Sequence, residues 1–433
     1  MNKLTVLFPG QGSQYVGMGK YWFDRYPAVR QRFEEASEAL NIDMARLCFE
    51  GPAGELKQTE NTQVALVTVS VALFETAQKE LGLRPSYLAG HSIGELAALS
   101  AAGVFSFADA VRLARVRGEA MASCDTESAT GMMAITKLRN EEVEAVLLEL
   151  ELNSLSIDIA NYNSPTQTIL AGSKEDMNQV GTLLKARGAK VIPLNVSGAF
   201  HSRYMAGAIG RWREALHRIE PGKMQIPVVC GHEGRLYTSA EEIKESLVKQ
   251  LTSPIRWTQA LQELSRQGVN QWLDIGPKDV LGNLVHQTIP GANVLAYDDE
   301  TQREEIRPRF MATEADRAGT EPNLIGLCLG AAVCTKNTNW DESAYRQGVI
   351  EPYKEIQQIH ERLDQEKRWP TEDEMERALS LLATIFKTKG TPAEQQSQRF
   401  RHILNATGTE ALFPQYFSPE GARENERLQT QSG

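Results

Sequence analysis

The stretch SYLAGHSIGELAALSAAG (86–103) constrains this chain more than any other. An apolar strand ends at Ala89, a good helix former begins at Glu95, and Gly90-His91-Ser92-Ile93-Gly94 lies between them. The reason for the G-x-S-x-G spacing is steric. A serine on a sharp strand-to-helix turn needs small residues two positions either side so that the backbone can fold tightly. Such a turn exposes the hydroxyl, and the following helix points its N-terminal amides towards developing negative charge. The pentapeptide alone also fits a plain structural turn, since glycine and serine are common. Its strand and helix context makes Ser92 a candidate nucleophile.

This unit sits inside a longer alternation of strands and helices. Residues 3–8 read as a buried strand, an apolar run closed by Pro9-Gly10. Helical patterns follow at 29–40, 61–81 and 107–123, the last carrying Arg112, Arg115 and Arg117. Residues 130–197 form a unit of their own. Its strands are 131–136, 156–163, 167–173 and 189–196 and its helices 140–151 and 174–187, in the β-α-β-β-α-β order of a ferredoxin-like subdomain. Helix 204–218, strand 226–231, helices 240–251 and 257–267 and strand 271–276 return the chain to the main unit. The expected fold is α/β: an α/β-hydrolase-like large subdomain with a parallel sheet (1–129 and 198–300), interrupted by the ferredoxin-like small subdomain (130–197).

Residues 301–322 are polar and proline-interrupted and read as a linker, 323–415 as a helical appendage, and 416–433 as a disordered tail. Within the appendage, Pro352 marks a kink, and Thr371–Glu374 and Thr391–Glu394 read as capping boxes. The chain has 433 residues, room for two to three such units.

Composition removes several functional classes. A formal charge of −10 argues against a nucleic-acid binder. Five cysteines without a C-x-x-C pair argue against a disulfide framework or a metal site. No run approaches the ~20 apolar residues that span a membrane. A soluble, cytoplasmic, monomeric enzyme is the expectation.

A serine nucleophile needs a base, and the chain offers seven histidines. His217 lies in a polar helix and His360 and His402 in the appendage; nothing near His232 or His286 recommends them. His91 adjoins the serine but points elsewhere on such a turn. His201 remains, in VSGAFHS, where a strand has just ended and small residues leave room. Residue type alone leaves it open whether His201 is a base or a packed side chain. It likewise leaves Arg117 a solvated helix charge.

Taken together, GQGSQ (10–14), GHSIGE (90–95), Arg117, GAFHS (198–202) and Gln250 resemble the malonyl-CoA:acyl carrier protein transacylases, a family that includes the free-standing acyltransferases of polyketide synthases. The resemblance covers roughly residues 1–290. It implies that Ser92 attacks a malonyl thioester and that His201 accepts its proton, oriented by the Gln250 backbone carbonyl. It implies an oxyanion held by the amides of Gln11 and Ile93, and Arg117 pairing with the malonyl carboxylate. His91 would shape the pocket, Asn161 and Asn163 would sit at its edge, and Phe200 would fill the space an α-methyl branch needs. No bound cofactor is implied. Malonyl-CoA is the donor, and the acceptor is the phosphopantetheine of a carrier protein, with a polyketide synthase as a further partner. A rival within the same fold is an acyl hydrolase that clears stalled acyl groups from carrier proteins, but it has no use for Arg117. The helical appendage lies outside the resemblance, and both a layer packed on the catalytic unit and a docking module fit it.

Overall fold

In the computed structural model the residues described are 3–124, 129–151, 156–299, 301–302, 306, 323–366, 368, 370–407, 409 and 412–416. The apolar run near the N-terminus forms β1 (Leu4–Phe8), buried along its whole length. Both faces of β1 are covered, which is why its sequence does not alternate. Val6 and Phe8 join the core that contains helix Thr59–Leu81, whereas Leu7 packs with Trp257, Leu261 and Leu284 of helices Trp257–Arg266 and Val280–Thr288. Helix Thr59–Leu81 is buried around most of its circumference and carries small polar residues such as Thr68 and Ser70 among its apolar ones, as a helix enclosed within a core can.

Beside β1 lies β2 (Tyr87–Gly90). The small subdomain follows with β3 (Thr130–Thr136), β4 (Ile157–Ser164), β5 (Gln167–Ser173) and β6 (Lys190–Pro193). The large sheet is completed by β7 (Val228–Cys230), β8 (Arg235–Leu236), β9 (Gln271–Asp274) and β10 (Asn293–Ala296). Its order is β10-β9-β1-β2-β7-β8, parallel except for the antiparallel edge strand β8. Strand β8 has two residues, too few to leave a periodic signal in the sequence.

The second sheet is antiparallel, in the order β4-β5-β3-β6 of a ferredoxin-like unit. One of its faces packs Met133, Ile135 and Leu170 against Val143, Val146, Val180 and Leu184 of its two helices. The alternate residues Met132, Ala134 and Ile169 face the other way, into the large subdomain's core. Backbone bonds from Tyr162 N to Ile255 O and from Ile255 N to Ala160 O, both 2.8 Å, tie the two subdomains together.

Three details of the helices depart from expectation. The helix read at 204–218 begins as a 3-10 turn, Arg203–Ala208, before Ile209–His217, because Ser202 caps the turn at Tyr204. The irregularity expected at Pro352 is a π-turn, Arg346–Ile350, just ahead of a proline that cannot donate a backbone bond. The Thr371–Glu374 capping box is formed, but the second one is not. The last helix starts at Ala393, so Thr391 stands outside the cap and its hydroxyl is buried without a partner.

By contact the chain divides into two compact units, Met1–Met311 and Ala312–Gly433. The second has its own core, built from Ile325, Cys328, Ile356, Leu379, Leu382, Phe386 and Phe400 among others. The segment read as a linker (301–322) lies outside the described residues apart from 301, 302 and 306. The segment read as a tail (416–433) does so apart from residue 416.

Candidate active site

The turn after β2 is as tight as its sequence requires. A Cβ on Gly90 would stand 2.1 Å from the Gly94 carbonyl carbon, and one on Gly94 would stand 2.1 Å from the Phe8 carbonyl oxygen. Ser92 is held at φ 54°, a left-handed value costly for a residue with a Cβ. The turn therefore projects Ser92 at the C-terminal ends of β1 and β2, the end of a parallel sheet where sites form. Gln11 follows β1, Ile93 opens helix Gly94–Ala101, and both line the same cleft as Ser92.

His201 comes from the turn leaving the small subdomain. It too has a positive φ, 56°, held by Ser202, whose hydroxyl donates to Ala199 O, and by Arg203 N, which donates to Asp158. Its Nε2 lies 2.6 Å from Ser92 Oγ and its Nδ1 lies 2.8 Å from Gln250 O. A carbonyl only accepts, so Nδ1 carries the proton and Nε2 presents its lone pair to the serine. Burial, then the charge of Arg117, pushes the imidazole down to about 3, so it is neutral at neutral pH.

Arg117 lies on helix Phe107–Ala122, buried among the apolar residues of that helix, while Arg112 is exposed and pairs with Asp109. Gly118 lets this helix approach Glu60 on helix Thr59–Leu81 closely, which brings Gln63 within reach. Arg117 donates to Gln63 Oε1 (2.9 Å), Gln250 Oε1 (2.9 Å) and Ser92 Oγ (3.2 Å). All three partners are neutral. Burial lowers the guanidinium to about 10, opposed by Glu95.

The cleft, about 230 Å³, is also lined by His91, Asn161, Asn163, Gln167, Met132 and Phe200. His91 Nε2 donates to Asn163 Oδ1 (2.9 Å), Asn163 donates to Gln167 Oε1 (3.0 Å), and the His91 ring meets Trp257 edge-on. All ten residues singled out from sequence therefore meet here: nine line the cleft, and Gln250 touches both His201 and Arg117.

Four others went unread: Gln63, Gln167, Glu95 and Tyr237. In the sequence Glu95 closes the GHSIGE element and opens a helix, and neither feature assigns its side chain a partner. It is in fact buried, with its carboxylate accepting from Tyr237 OH (2.5 Å), Gly231 N (3.0 Å) and Gln250 Nε2 (2.5 Å). Burial raises it to about 7, against these hydrogen bonds and Arg117. Gln63 and Tyr237 carry no local signal, since only the packing of distant helices and strands brings them in.

A hydroxyl on a strained strand-to-helix turn, bonded to a tautomer-fixed imidazole, is the arrangement that serine-nucleophile chemistry on an α/β scaffold requires. The chain belongs to the acyl transferase domain family, whose model matches residues 5–320. It is 32% identical over 400 residues to a malonyl CoA-acyl carrier protein transacylase of Bacillus subtilis, covering 92% of this chain and 99% of that one. It is 39% identical over 300 residues to the Escherichia coli (strain K12) protein of the same description, covering 69% of this chain and 97% of that one. Among solved structures, it matches the malonyl-transacylase complex of a type II polyketide synthase acyl-carrier protein with a TM-score of 0.69 and 37% identity. That match covers 71% of this chain and all of the other. The Bacillus alignment is too long for residues 1–311 alone, so that similarity continues into the second unit.

Proposed function

We propose that this protein moves a malonyl group from malonyl-CoA to the phosphopantetheine thiol of an acyl carrier protein, through a malonyl-Ser92 intermediate, in polyketide or fatty-acid biosynthesis. The observation that carries this reading is Arg117: a buried cation 3.2 Å from the nucleophile whose hydrogen-bond partners are all neutral. Among the described residues no anion hydrogen-bonds to this guanidinium, and a malonyl carboxylate supplies one. An acyl hydrolase acting on uncharged groups would gain nothing from it.

His201 Nε2 takes the Ser92 proton as Oγ attacks the thioester carbonyl. The amides of Gln11 and Ile93 hold the oxyanion, and the imidazolium returns its proton to the departing coenzyme A thiol. The carrier-protein thiol then repeats the sequence in reverse. Gln250 O keeps the imidazole in the required tautomer, so no carboxylate is needed behind it. His91, Asn161 and Asn163 shape the acyl pocket. Phe200 occupies the space of an α-methyl group, a preference of ~1–3 kcal/mol for malonyl over methylmalonyl. No helix among the described residues is long and apolar enough to cross a membrane.

Mixing the protein with malonyl-CoA should add one malonyl unit to Ser92, read by intact-protein mass and peptide mapping. The adduct should disappear on adding phosphopantetheinylated carrier protein, and Ser92→Ala should never form it. An adduct on another residue, or none on folded protein, overturns the reading.

A further inference from the structure

We propose that Glu95 is a positioning residue that sets the malonyl-carboxylate site by fixing the Gln250 side-chain amide. This rests on Arg117 being that site. Gly231 N and Tyr237 OH both donate to Glu95, and the Arg117 guanidinium can only donate, so the amide group placed 2.5 Å from Glu95 Oε2 must be the Gln250 NH2. The Gln250 carbonyl is thereby turned the other way, onto Arg117 Nη2 at 2.9 Å. Were the amide reversed, two donors would face each other at Arg117 and the guanidinium would lose an anchor.

Glu95 cannot easily move. Gly231 N holds Oε2 and Tyr237 OH holds Oε1, and the side chain is buried. On the far side, Gln63 is held the same way: its NH2 faces Met121 Sδ, which leaves its carbonyl for Arg117. The guanidinium thus sits between two carbonyls of fixed orientation. The same Gln250 orients His201 through its backbone, so one residue serves both the acyl-group cation and the base. Glu95 reaches His201 through Gln250, and it reaches Arg117 both through the Gln250 amide and by its own charge.

The test is steady-state kinetics on the full chain with malonyl-CoA and carrier protein, each variant first shown to be folded by circular dichroism. Glu95→Met removes the acceptor and should raise the malonyl-CoA KM about 10- to 100-fold, the scale for losing one hydrogen bond to a charged group, with a smaller change in kcat. Glu95→Gln keeps an acceptor for Gly231 N and Gln250, its own NH2 turning to Tyr237 Oη, and should recover most of the KM lost in E95M. Gln250→Met removes the amide but keeps the carbonyl on His201. It should reproduce the KM effect of E95M, and adding E95M to it should cost nothing further. An unchanged KM in folded E95M or Q250M overturns the proposal, as does an E95Q variant no better than E95M. If E95M does not fold, Q250M decides alone. Arg117→Met separates the two readings: an unchanged malonyl-CoA KM there would remove the carboxylate site itself, whatever the Glu95 variants do.

Discussion

Arg117 and His201 share one atom, Ser92 Oγ, and the charge of Arg117 is among the causes that hold the His201 imidazole low. On the proposed mechanism, a malonyl carboxylate bound to Arg117 would offset that charge and make His201 a better base. Removing the cation should act in the same direction. In Arg117→Met, only burial and the weaker effect of His91 still push His201 down, so its titration should move to higher pH. NMR of labelled histidine in wild type and variant measures this, and a midpoint that stays put or falls would contradict the coupling. Phe200→Ala should narrow the preference for malonyl over methylmalonyl by ~1–3 kcal/mol, read as the ratio of kcat/KM values.

At the scale of elements, the elbow depends on contact between β1, β2 and the helix after Ser92. Gly94→Ala places a Cβ 2.1 Å from Phe8 O, and because a backbone atom cannot swing aside, the loss should be in folding as well as in rate. A thermal scan beside the malonyl-loading assay reads both, and an unaltered melting temperature would show that the turn tolerates the methyl group. In the second unit, Thr371 caps helix Glu372–Thr388, and Arg362 and Arg368 grip the reciprocal Glu374. Thr371→Ala should lower that unit's stability by about 1 kcal/mol in denaturant unfolding while leaving Ser92 loading intact. Most elements were legible because their periodicity is local. The two-residue β8, the four-residue β10 and the misplaced second cap were not, because pairing partners and helix starts chosen by packing decide them.

For the molecule as a whole, the two units carry separate cores, the second of them made, among the described residues, from side chains between 324 and 413. Residues 1–311 expressed alone should therefore acquire malonyl at Ser92 as the full chain does. Insolubility or loss of loading would mean that the second unit completes the first. What the amino-acid sequence determined by itself was whatever rests on local sterics and residue chemistry: the elbow that presents Ser92, the α/β alternation, the inserted β-α-β-β-α-β unit and the set of candidate residues. Only the tertiary structure decided which arginine is buried, which amide turns which way and what Glu95 is for. Arg112 and Arg117 lie on one helix and differ chiefly in what faces them. For Arg117 that is Gln63, Ser92 and Gln250, brought from three distant parts of the chain, and burial among such partners is a property of the assembled fold that no local pattern records.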